Sequence, residues 1–158
     1  MIVPLRNLRS TEALAARMAR ELTGRELLLL SGDLGAGKTT FVRYLAEALG
    51  IDPAWVSSPS FTLVQRYPAG GRGVAVSHVD LYRIARTGDL ESLGLDDLLT
   101  SEDLVIVEWP EPAADLWADS GRPIVEVEFR RDAQGKREAF VRRRAEPFRT
   151  ASGEPEHG

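Results

Sequence analysis

The chain has 158 residues, 43% of them hydrophobic, a formal net charge of −4 and no cysteine. That length suits one compact domain and is short for two. Without cysteine there are no disulfides, thiolate chemistry or cysteine-based zinc sites, and His78 and His157 cannot build a cluster, so any metal must be held by oxygen.

The acidic balance argues against a protein that coats nucleic acid through its overall field. The N-terminal stretch lacks a secretory apolar core and a membrane-spanning run, which reads as a cytoplasmic protein with no membrane partner. Residues 1–149 read as the single domain, and residues 150–158 as a disordered tail.

In chain order, Leu14, Met18 and Leu22 recur at helical spacing, and "RSTEAL" offers a capped start, predicting a helix over Ser10–Leu22. Glu26–Ser31 reads as a buried strand, and Lys38–Leu49 as a helix with Phe41, Val42, Leu45 and Leu49 on one face. "SSPSFT", Ser57–Thr62, reads as a loop leading into a strand, Thr62–Tyr67, and Val74–Leu81 as its antiparallel partner across "PAGGRG". "ESLGLDDLL" predicts a short helical region ending near Thr100, Leu104–Trp109 a buried strand, and "PEPAADLWADS" a short helix. "PIVEVEFRR" and "REAFVRRRA" alternate and pair as a hairpin across "DAQG".

The chemistry is concentrated at Gly32-Asp33-Leu34-Gly35-Ala36-Gly37-Lys38-Thr39, which fits the P-loop pattern G-x-x-x-x-G-K-[ST]. Its glycines let the backbone curl so that N–H groups converge on a phosphate, and the following helix presents its positive end to the same anion. Lys38 would reach the β- and γ-phosphates, and the Thr39 hydroxyl would ligate Mg²⁺, with Thr40 next in the cradle. A strand enters and a helix leaves, the context the motif requires. Arginine is otherwise the base of choice here, with lysine only at Lys38 and Lys136; lysine supplies the compact point charge.

Such a loop needs a second acid at the end of a neighbouring strand to hold Mg²⁺. Glu108 ends the apolar run "LVIV", where a carboxylate at the sheet's C-terminal edge faces the phosphates. Asp80 is the other candidate, sharing a strand face with His78 and Tyr82, against a structural pairing with Arg83 or Arg86. His78 reads either as a hydrogen-bonded structural histidine or as part of the site. "SSPSFT" reads either as a proline turn or as a switch-like segment sensing the γ-phosphate. Trp109 reads as core or as a wall of the nucleotide pocket.

Arg130–Arg149 holds eight Arg and Lys against three acids. A solvated hairpin face is one reading, and a docking surface for RNA or an acidic partner the other.

In this order and spacing, "GDLGAGKTTF", "SPSFTLV", "HVDLYR", "LGLDDLL" and "VIVEWPE" resemble the TsaE family, small bacterial P-loop ATPases needed to make threonylcarbamoyladenosine in tRNA. The resemblance covers about Thr11 to Glu111, and the C-terminal hairpin only in type. It implies an α/β, P-loop NTPase-like three-layer fold with a mixed sheet, a parallel core plus antiparallel strands. It also implies ATP or ADP with Mg²⁺, the metal held by Thr39 and Glu108, and a role in activity for Asp80. Thr11 matches a family threonine near the nucleotide's base.

The resemblance further implies slow hydrolysis by the protein alone and action with the threonylcarbamoyl transferase heterodimer of TsaB- and TsaD-type subunits. tRNA would be met indirectly, through that complex. Two other readings of the residues stay open: a small-molecule kinase with an arginine-bearing lid, and a non-hydrolysing nucleotide-dependent regulatory module. A GTPase is disfavoured, because there is no [NT]-K-x-D segment.

Overall fold

Leu27–Leu30 is apolar without alternation because both faces of its strand are covered. Leu28 and Leu30 point to a core with Leu14, Met18, Phe41, Val42 and Leu45, while Leu27 and Leu29 point to a second core with Val105, Val107 and Trp117. The sheet therefore lies between two apolar layers, an α/β arrangement of three layers.

The structure, a computed structural model, describes residues 1–57, 63–84 and 93–144. Its elements are β1 (Ile2–Pro4), α1 (Leu8–Glu21), β2 (Leu27–Ser31), α2 (Lys38–Ala48), β3 (Val64–Tyr67), β4 (Val76–Asp80), α3 (Leu95–Thr100), β5 (Leu104–Glu108), α4 (Ala114–Ala118), β6 (Ile124–Arg131) and β7 (Arg137–Arg144). The seven-stranded sheet has the order β1-β7-β6-β2-β5-β4-β3. Strands β6, β2, β5 and β4 run parallel, and β3, β7 and β1 add antiparallel edges, the mixed sheet expected.

Several boundaries differ from the sequence reading for local reasons. Helix α1 starts at Leu8 rather than Ser10, because the Asn7 side chain caps it by accepting the Ser10 N–H at 3.0 Å. The strand expected from Glu26 starts at Leu27, because the Glu26 carboxylate is turned onto the Gly24 N–H at 3.1 Å and the Thr23 hydroxyl at 2.8 Å. Burial works against the Glu26 charge, but these donors hold its carboxyl below its ordinary value.

Strand β5 stops at Glu108, since Trp109 takes a left-handed φ of 57° and donates its N–H to the Leu30 carbonyl at 3.1 Å. Strand β4 ends at Asp80, so Tyr82 lies in the turn beyond it and not on the strand face with His78. Strand β1 had no expectation in the sequence. Three residues with a proline carry no alternation to detect, and they are recruited by pairing with β7, Ile2 opposite Phe140.

The hairpin β6–β7 closes through Asp132, whose carboxylate accepts the N–H groups of Gln134 and Lys136, each at 2.9 Å. Part of its basic excess is matched by acids. Arg130 pairs with Glu138 at 2.9 Å, Arg144 with Glu126 at 3.5 Å and Arg143 with Glu21, while Arg130 and Arg142 flank the Phe140 ring. The tail falls outside the described residues, as do Ser58–Thr62, most of the expected switch-like segment, and Arg86.

One buried cation ties the lower end of the sheet together. The Arg122 guanidinium donates to the Asp103 carbonyl at 2.8 Å, the Leu99 carbonyl at 2.9 Å, the Leu98 carbonyl at 3.3 Å and the Ser101 carbonyl. It thereby closes the turn from α3 into β5 onto the start of β6. Replacing it with Arg122→Met keeps most of the apolar stem but strands these carbonyls. Urea unfolding is expected to show a loss of about 2–4 kcal/mol, and a loss below about 0.5 kcal/mol would mean water serves the carbonyls equally well.

Candidate functional site

The glycine loop between β2 and α2 is shaped by close approach and by backbone hand. A Cβ at Gly32 would meet the Phe129 carbonyl oxygen at 2.5 Å, so the loop leaves the sheet only with glycine there. Gly37 sits at φ 107° immediately before α2, a conformation that L side chains rarely adopt. At both Gly35 and Gly37 nothing lies within 4 Å of where a Cβ would sit. The loop is a hollow facing the first turn of α2, where the N–H groups of Lys38, Thr39 and Thr40 have no partner within the helix. Such a hollow takes an anion.

Lys38 is folded into this hollow. Its ammonium donates to the Gly32 carbonyl and, at 3.1 Å, to the Asp33 carbonyl, and lies 4.2 Å from the centre of the Trp109 ring. Tyr82 also packs on that indole, its ring centre 5.0 Å away and tilted by 50°. Burial pulls the Lys38 ammonium down from its ordinary value, opposed by the charges of Glu108, Asp80, Glu111 and Asp33.

The acids arrive by sheet register. Asp80 ends β4 and Glu108 ends β5, and the two are opposite each other in the parallel ladder. Both belong to the strand face of His78 and Ile106, which carries Leu28 and Leu30 toward α2. The Glu108 carboxylate accepts the Thr39 hydroxyl at 3.0 Å and meets His78 Nε2 at 2.7 Å. Asp80 accepts the Tyr82 N–H, a backbone group of its own turn, at 2.9 Å. Burial pushes the Asp80 carboxyl up; the Tyr82 N–H opposes this, and the charge of Glu108 adds to it.

The donor set fits a hard divalent cation. A hydroxyl and a carboxylate are the oxygen ligands that Mg²⁺ prefers, and Mg²⁺ bound with phosphates keeps few protein ligands. The Thr39 hydroxyl and the Glu108 carboxylate already meet, 3.0 Å apart, through a hydrogen bond, so both oxygens would be available to one cation. Among the described residues no group of three or more His, Cys, Asp and Glu could hold a metal without such help.

Two adjoining cavities share Ala36, Gly37 and Thr40. The smaller, about 190 Å³, is lined by Leu34, Gly35, Lys38, Thr39, Asp80, Glu108 and Trp109. The larger, about 520 Å³, runs past Thr11, Asn7, Leu8 and Phe129 to Lys136 on the hairpin. The sequence candidates thus divide between a charged compartment and a roomier one, with Thr11 in the second.

Sequence reasoning did not single out Tyr67 and Gln65. Tyr67 lies 3.0 Å from His78 Nδ1, and its hydroxyl donates to the Gln65 side chain at 2.8 Å. The signal was present: in an antiparallel pair with Gln65 opposite His78, Gln65 and Tyr67 share the histidine's face.

The family model for TsaE, the threonylcarbamoyl adenosine biosynthesis protein, matches residues 5–139. The TsaE protein of Streptomyces coelicolor, described as a tRNA threonylcarbamoyladenosine biosynthesis protein, is 44% identical over 99 residues, 62% of this chain and 66% of that one. The protein of the same description from Aquifex aeolicus is 43% identical over 102 residues, 64% and 70% of the two chains. The chain thus spans about two thirds of the length of these relatives. The crystal structure of Bacillus subtilis YdiB superposes with a TM-score of 0.68 at 28% identity, covering 89% of this chain and 84% of that one. With the glycine loop, the paired strand-end acids and the mixed sheet all in place, this chain belongs to the TsaE family of threonylcarbamoyl adenosine biosynthesis proteins.

Proposed function

We propose that the protein binds ATP with Mg²⁺ and hydrolyses it slowly, in the service of threonylcarbamoyladenosine modification of tRNA. It acts with the threonylcarbamoyl transferase heterodimer of TsaB- and TsaD-type subunits, in the cytoplasm, and meets tRNA through that complex. The observation that carries the reading is the convergence of the Thr39 hydroxyl and Glu108 carboxylate, 3.0 Å apart, on the rim of an anion-ready loop. Among the described residues no helix is long and apolar enough to cross a membrane.

In this reading the loop amides and Lys38 take the phosphate oxygens, Lys38 exchanging its two carbonyl acceptors for stronger, charged ones. Thr39 and Glu108 hold Mg²⁺, which supplies charge neutralisation at the β- and γ-phosphates when bound. The larger cavity takes the base and ribose, with Thr11 on its wall. Asp80 is left for the attacking water: it lines the smaller cavity, and its raised carboxyl makes it a better proton acceptor than an ordinary aspartate. Trp109 packs on Lys38 and holds the ammonium over the cavity.

Phosphate release from Mg·ATP, with and without the transferase complex and with Lys38→Ala as the blank, tests this reading. A slow basal rate that rises about tenfold or more with the complex, and vanishes in Lys38→Ala, is expected. Phosphate appearing instead on a small-molecule acceptor would make the protein a kinase, and no turnover even in the assembled complex would make it a regulatory module.

Asp80 gives a second test with opposite effects on stability and activity. Its carboxyl is raised in the fold, so its favourable contribution is present below the unfolded value and lost as pH rises through the folded one. At neutral pH the buried charge therefore costs stability. Asp80→Asn keeps an acceptor for the Tyr82 N–H and removes the charge. Calorimetry is expected to show a higher unfolding midpoint at pH 7, a gap that closes on acidification, with hydrolysis down about 100-fold or more. Unchanged turnover with intact nucleotide binding would remove Asp80 from the water-orienting role.

A further inference from the structure

Glu108 uses one oxygen for Thr39, and its other oxygen begins a path that leaves the site. Oε2 meets His78 Nε2 at 2.7 Å, His78 Nδ1 meets the Tyr67 hydroxyl at 3.0 Å, that hydroxyl meets the Gln65 amide at 2.8 Å, and the amide meets the Ser57 hydroxyl at 3.3 Å. His78 is wholly buried and Tyr67 nearly so, whereas Ser57 is exposed. A chain of side-chain hydrogen bonds therefore runs from the surface, through two strands, to the carboxylate beside Thr39.

Each member of this chain has a bland alternative, a buried polar group that merely needs a partner. The whole is harder to dismiss, because an apolar residue at position 78 or 67 would pack the same face with no polar cost. The bonds are also interdependent. The Glu108 carboxylate only accepts, so Nε2 donates to it, and the phenol has one proton for Nδ1 and the Gln65 amide together, so the direction of each bond constrains the next. The phenol is pushed up to about 12, chiefly by burial with the Glu108 charge adding, so it keeps that single proton throughout the working range.

We propose that His78 and Tyr67 are positioning residues that orient the Glu108 carboxylate toward Thr39 and the metal, and that they tie this orientation through Gln65 to Ser57. The proposal rests on the nucleotide and Mg²⁺ reading above. Neither residue touches the reacting phosphates; both act through Glu108. The metal-dependent part of nucleotide affinity thus depends on side chains outside the pocket, while the metal-independent part, held by loop amides and Lys38, does not.

Isothermal titration of ADP in EDTA and in excess Mg²⁺ separates these parts. Tyr67→Phe removes one hydroxyl, and His78→Gln retains a donor for Glu108 while cutting the tie to Tyr67. In EDTA both variants and their double combination are expected to bind ADP within about twofold of the unaltered protein. In each variant the gain in affinity on adding Mg²⁺ is expected to shrink about five- to tenfold, and the double variant to lose no more than the weaker single one, because one chain is broken either way. Gln65→Leu, at the half-exposed outer end, should fold regardless and shrink the gain about two- to threefold.

A full Mg²⁺ gain in Tyr67→Phe and Gln65→Leu would overturn the chain, as would multiplying losses in the double variant, which mark independent packing defects. If the unaltered protein bound ADP with no response to Mg²⁺, the metal reading itself would fall, and the chain with it. Those two failures are distinguishable in the same titrations.

Discussion

Four ionisable side chains are buried at one end of the sheet: His78 is 0% exposed, Glu108 3%, Lys38 5% and Asp80 6%. Burying charge is costly, and paired buried charges seldom stabilise a fold more than apolar residues of similar size would. Every other constraint at this end follows from giving these groups partners. Glu108 is held from both sides, by Thr39 of α2 and by His78 of β4, and Lys38 is turned back onto carbonyls of its own loop. Among the described residues no buried side-chain nitrogen or oxygen is left without a partner. The site is polarised yet satisfied.

The sheet makes that possible. Parallel strands bring their C-terminal ends to one edge, and loops leaving that edge carry the chemistry of open α/β sheets. Here β2 ends in the glycine loop, β4 in Asp80 and β5 in Glu108, with Asp80 and Glu108 in direct register. The backbone turns sharply at this edge: Gly32 turns where any Cβ would strike Phe129, and Trp109 turns through a left-handed φ with no glycine to ease it. A residue of that size in that conformation is uncommon and costs of order 1–3 kcal/mol. Its return is visible in the geometry, since the turn lays the indole against both Lys38 and Tyr82.

What the sequence disclosed follows from how local each signal is. The glycine loop, the apolar strands β2 and β5 and the hairpin β6–β7 are each written in consecutive residues, and each is found within about one residue of its expected place. The meeting of Asp80 with Glu108 needed only that two strands be parallel neighbours. Features set by contact across the chain were less legible. Strand β1 exists because β7 offers an edge, and the Asn7 cap lies outside the apolar periodicity that marks α1. Tyr67 and Gln65 become site neighbours only once the β3–β4 register is fixed. A one-residue slip would send both to the opposite face. His78 could be read as structural or functional from sequence because it is in contact with both worlds: a strand core on Nδ1 and a site carboxylate on Nε2.

The same self-satisfaction shapes how a ligand is received. With Lys38 bonded to the Gly32 and Asp33 carbonyls, and Thr39 to Glu108, the site exchanges bonds on binding an anion instead of filling open valences. An exchange of neutral acceptors for charged ones remains favourable, because charge-assisted hydrogen bonds are roughly twice as strong as neutral ones. The net gain is smaller than a count of new contacts suggests, since each old contact is lost. Thr39 and Glu108 are bound to each other, so a cation that took the hydroxyl oxygen would also take the carboxylate that holds it. In the proposed reading, binding at the loop would be felt at Glu108 and, through its second oxygen, at His78 of β4. The carboxylate thus joins the glycine-loop side of the site, through Thr39, to the sheet, through His78.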